Sequence, residues 1–175
     1  MRPHAGATAA ILIGGLTAGA LDHLSACATL IPRGVPALGM LQYIASGAIG
    51  QRAFSGGIGT AALGLAVHLS LTTLMAAIYV VASLRVPLLL ARPWSSGVIY
   101  GAVICVVMNY VAVPSSLVAN WKAPTGWELV GAFLASCFYV GVPIAALASH
   151  FLGPRPSGPS VLEQGGGGLL RRVKQ

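Results

Sequence analysis

TAAILIGGLTAGALDHLSACATLI, from Thr8 to Ile31, is the stretch on which the reading of this chain turns. It is apolar over a length that crosses hydrocarbon, since roughly 17–25 residues rising about 1.5 Å each span a bilayer core. Yet Asp22 and His23 lie within it. A charge in hydrocarbon costs several kcal/mol unless it faces other helices or water, so these residues mark a protein interior and a candidate functional site.

Working outward, three more stretches have the same character: Gly57 to Ser83, Trp94 to Val113 and Gly126 to Ser149. Composition agrees, with 56% apolar and only 7% charged residues and a mean hydropathy of +0.83. Soluble domains carry about 25% charged residues. The expected fold is therefore an all-α membrane protein, four transmembrane helices in one bundle over residues 1–152. From Gly153 the composition turns to Pro, Ser and Gly with a basic end, which predicts a disordered cytoplasmic tail over 153–175.

The net charge of +7 is spread over loops and tail without interleaved aromatics, so it reads as topology and not as nucleic-acid binding. With four spans, Arg2, Arg85, Arg92, Arg155, Arg171, Arg172 and Lys174 share one side, and Arg33, Arg52 and Lys122 the other. The excess of cations places both termini in the cytoplasm. Trp94, Trp121 and Trp127 suit interfacial anchors at span ends.

The first loop, Pro32 to Gly56, is long enough for an element of its own. Leu38, Leu41, Ile44, Ala45, Ala48 and Ile49 recur at helical spacing, with Gln42, Ser46 and Gly47 opposite. This predicts a short amphipathic or re-entrant helix at the outer membrane surface. Cys27, Cys105 and Cys137 share no short spacing, so they read as packing residues, and neither a metal nor another cofactor is expected. Leu24 to Cys27 also resembles a lipobox, but Asp22 and His23 directly before it suit a signal peptide badly, which favours a retained helix.

Helices in lipid associate through small residues, with polar side chains hydrogen-bonding across the contact. Each span carries such a stripe with one polar member. Gly15, Gly19, Asp22, Ala26 and Thr29 mark the first, and Gly57, Ala61, Gly64, His68 and Thr72 the second. Gly97, Gly101, Cys105 and Asn109 mark the third, and Gly131, Ala135, Tyr139 and Pro143 the fourth. Helical rise puts Asp22, His68 and Tyr139 roughly 13–19 Å from the outer ends of their spans, with Asn109 shallower at roughly 6 Å. Asp22 and His68 are thus the expected central pair of a polar core or proton site, surrounded by Asn109 and Tyr139, with Gly15, Gly19, Gly64 and Gly101 as packing positions. His23, about 100° around the helix from Asp22, is free to meet another helix or subunit.

Gly19 to Asp22, Leu41 to Gly47, Ala53 to Gly57, Gly64-Leu65 with His68, and Met108 to Pro114 resemble a family of small, uncharacterised bacterial inner-membrane proteins with four helices. The likeness runs from about Gly14 to His150. The resemblance implies that fold and a bacterial inner-membrane location, and transfers no catalytic residue.

Four functional classes follow. A non-enzymatic accessory or structural membrane protein, partnered by the bilayer and by copies of itself or another membrane protein, is the leading one. A small proton- or ion-coupled transporter using Asp22 is the alternative. A haem or quinone protein would need His23 and His68 to face each other at one depth, which Asp22 beside His23 suits badly. A membrane hydrolase would need a nucleophile beside a base, and neither a GxSxG nor an HExxH pattern occurs; Ser25 and Ser70 are the only guesses.

Overall fold

A computed structural model of the chain describes residues 3–118 and 121–153, and every regular element among them is helical. The predicted tail lies outside the described residues from position 154 on. Helix α1 runs Pro3–Leu30, starting before Thr8, and a 3-10 turn over Ile31–Arg33 closes it. Gly34 ends that turn at φ 86°, a left-handed conformation that glycine adopts without steric cost. Helix α2 covers Ala37–Ile49, and a second 3-10 segment over Gly50–Ser55 leads into α3, Gly57–Arg85.

A single-turn helix α4, Leu88–Ala91, lies in the connection from α3 to the next long helix. Helix α5, Pro93–Val107, opens on a proline, whose missing N–H costs nothing at a helix start, and continues as a π-helical stretch over Met108–Ala112. The last segment is α6, Gly126–Ala135, then a π-helical stretch over Ser136–Gly141, then α7, Val142–Leu152. Four helices are long and apolar enough to cross a membrane: Ala5–Arg33, Gly57–Arg85, Pro93–Ala112 and Gly126–Leu152.

Small residues set how closely these helices approach. α1 packs on α3 and on α7, while α5 packs on the π-helical stretch Ser136–Gly141 and on α7. A Cβ on Gly15 would run into the backbone of Thr73, one on Gly19 into the hydroxyl of Thr72, and one on Gly101 into the backbone of Cys137. Gly64 lies against the carbonyl of Leu41, which seats α2 on α3. The buried core is accordingly alanine-rich, with Ala10, Ala18, Ala76, Ala145 and Ala148 around Tyr79, Val80 and Ile144. Close backbone approach maximises dispersion contact where lipid removes the hydrophobic reason for association.

One expectation from the sequence is corrected, and the facing of α2, which the sequence leaves open, is defined. The stripe Gly131, Ala135, Tyr139, Pro143 is not the inner face of the last span: Gly131 has open space around it and Tyr139 is 43% exposed. Cys137, Val140, Gly141, Ile144 and Ala145 are buried instead. Cys137, Val140, Ile144 and Ala148 step by three and four residues, so the inner face keeps the helical period and lies on a different side of the helix from the stripe marked in the sequence. In α2 the buried side chains include the polar Gln42 and Ser46, whereas Leu38 and Tyr43 are exposed. Gln42 Nε2 donates to the Gly57 carbonyl at 3.2 Å and lies 3.4 Å from the Thr60 hydroxyl, so the polar side of α2 is its inner side.

Candidate functional site

The site forms where α1 and α3 cross beneath α2. His68 projects from α3, and its Nε2 lies 3.0 Å from the carbonyl oxygen of Gly19 on α1. A carbonyl only accepts, so Nε2 carries the proton, and in the neutral ring Nδ1 keeps a lone pair. Gly19 is what permits this contact, because a side chain there would meet Thr72 and Leu69 of α3. One turn along α1, Asp22 Oδ2 stands 3.8 Å from the same His68 Nε2. That separation is too long for a direct hydrogen bond and short enough for strong Coulombic coupling.

His23 completes the cluster. Its ring centroid is 5.9 Å from that of His68, the planes tilted by 56°, and its Nε2 lies 3.6 Å from Cys27 Sγ one turn further along α1. The helix that His23 meets is therefore α3. Each imidazole Nε2 thus has a partner on α1, and the two do not present Nε2 atoms to a common central point. No group of three or more His, Cys, Asp or Glu among the described residues is placed to hold a metal ion.

Asp22, His23 and His68 line a cleft of about 630 Å³ whose other walls are largely apolar. Leu30 and Val35 come from the α1–α2 junction, Met40, Tyr43 and Ile44 from α2, and Phe54 from the 3-10 segment beyond it. The Asp22 side chain is 32% exposed and that of His68 14%. Sequence reasoning missed the aromatic contribution of Tyr43 and Phe54. A signal existed in their position, one within the loop helix and one just beyond it, but nothing in the chain order says that this loop folds back over Asp22.

Asn109 and Tyr139 are not brought to this pair. The Asn109 side-chain amide donates to the Cys105 carbonyl of its own helix at 2.9 Å, and its backbone carbonyl accepts from Trp121 Nε1 at 3.2 Å. The cause is the packing of α5 on the last span, while Asp22 is turned to α3. Cys105 and Cys137 are buried and free, and Cys137 Sγ sits 3.5 Å from the Val98 carbonyl. The Ser25 hydroxyl donates to the Asp22 carbonyl at 2.8 Å, which ties it to the helix backbone and not to an imidazole.

The arrangement sets a carboxylate within Coulombic reach of an imidazole and can offer hydrogen bonds at one end of an apolar slot. No family model, curated protein or solved structure matches the chain.

Proposed function

We propose that this is a non-enzymatic membrane protein of the bacterial inner membrane, four helices in one bundle with both termini in the cytoplasm, in which Asp22, His68 and His23 form an ionisable binding site for a small amphipathic molecule. The convergence of these three side chains on one apolar cleft carries the reading. Side chains serving only to hold helices together would bond each other and be sealed between them, whereas Asp22 remains one-third exposed on the cleft side and not directly hydrogen-bonded to His68. The excess of arginine and lysine on the side of the α3–α5 connection supports the orientation.

Proton-coupled transport is the second reading. What favours it is the placement of His68 within 3.8 Å of Asp22, where the charge on either side chain acts on the other as a ligand arrives or leaves.

Reaction with a hydrophobic carbodiimide tests the site, because such reagents modify protonated carboxyls that face apolar surroundings. Peptide mass spectrometry should find the adduct on Asp22, decreasing as pH rises and absent in Asp22→Asn. An unmodified Asp22, in protein whose Asp22→Asn variant fails to assemble, would reduce the acid to helix glue.

A further inference from the structure

A second cleft, of about 450 Å³, lies at the other end of the molecule between the end of α3, α4 and the start of α5. Its floor is closed to ligands that seek hydroxyls. The Tyr79 hydroxyl lies 2.8 Å from Ser96 Oγ and 3.0 Å from the Leu89 carbonyl, and Ser96 Oγ reaches the same carbonyl at 2.9 Å. The only charged side chain in the lining is Arg92, and no acid accompanies it. Among the described residues the single ion pair is Asp22–His68, and the other carboxylate, Glu128, stands in the first turn of α6.

Arg92 directly precedes a membrane-crossing helix, beside Trp94, which is exposed as an interfacial anchor is. Further into that span the cleft continues over Ile99 and Val103, both exposed and both on α5. They lie roughly 10 and 16 Å along the axis from Arg92 at about 1.5 Å per residue. A cation at the membrane boundary above an apolar lane matches a phosphate headgroup above an acyl chain, and basic pockets between transmembrane helices on the cytoplasmic side hold anionic lipid.

We infer that this cleft binds one anionic phospholipid, its phosphate on Arg92 and one acyl chain along Ile99 and Val103. The inference is independent of the Asp22 site. The test uses the full chain, purified in detergent with equal amounts of phosphatidylglycerol and phosphatidylcholine, with retained lipid read by native mass spectrometry. The wild type should retain phosphatidylglycerol preferentially, and Arg92→Gln should lower that preference about fivefold, the worth of one cation near a charged lipid surface. Val103→Trp should lower retention by filling the lane, while Arg85→Gln should leave it unchanged. Inorganic phosphate alone should not protect the protein against heat. An unaltered preference in Arg92→Gln, an equal loss in Arg85→Gln, or protection by free phosphate matching that of the lipid would each overturn the inference.

Discussion

At Asp22 the degree of exposure decides what the residue can do. Its carboxylate approaches His68 without a direct hydrogen bond and keeps a third of its surface open, so replacing it removes a charge and little packing. Asp22→Asn should therefore retain assembly, with a stability change of about 1 kcal/mol or less by thermal unfolding in detergent, in the range measured for polar contacts between membrane helices. Tyr139→Phe should fall within about 0.5 kcal/mol of wild type, as surface substitutions do, because its ring is 43% exposed and belongs to no described cluster. The approach of Asp22 to His68 was legible because both residues sit in glycine-marked stripes at similar depth on helices with ordinary α geometry. Tyr139 was misplaced because the last span carries small residues on two sides, and periodicity does not say whether the side with Cys137, Gly141, Ala145 and Ala148 or the side with Gly131 and Ala135 turns inward. His23 was left open because a residue about 100° from the inner face turns inward only if a neighbouring helix covers both faces.

Elements in this molecule are placed by glycines at backbone-to-backbone contacts. Gly64→Leu would drive a side chain into the Leu41 carbonyl and lift α2 from α3, and Gly101→Leu would part α5 from the last span at Cys137. Each should cost about 1–3 kcal/mol or more, since the facing atoms are backbone and cannot rotate aside. Gly131→Leu is the matched control, with nothing within reach of its Cβ, and should be neutral or slightly stabilising by helix propensity. Four long apolar helices and a helix in the first loop were readable from length and spacing. The facing of α2 was not: an amphipathic pattern shows that two faces differ, and which one turns inward depends on the partner. Here Gln42 finds the Gly57 carbonyl at the start of α3, and Leu38 is left outward, a suitable surface for lipid.

For the whole molecule, charge asymmetry and the shared α1–α3 crossing make one set of claims. A single cysteine in place of exposed Arg52, in a chain whose native cysteines are replaced by alanine, should react with a membrane-impermeant maleimide in intact cells. A cysteine replacing Arg85 should react only after the membrane is opened. The reverse pattern would invert the orientation and put the Asp22 cleft on the cytoplasmic side. The central claim, that the acid of α1 meets the imidazole of α3 beside an open cleft, is tested most directly by a solid-state NMR distance in bilayers. The spin pair is ¹³C-labelled Asp22 carboxyl and ¹⁵N-labelled histidine, with His68→Gln as the assignment control. A dipolar coupling consistent with the 3.8 Å approach of Oδ2 to Nε2, lost in His68→Gln, is the predicted result; no detectable coupling in a folded, four-helix sample would contradict the account.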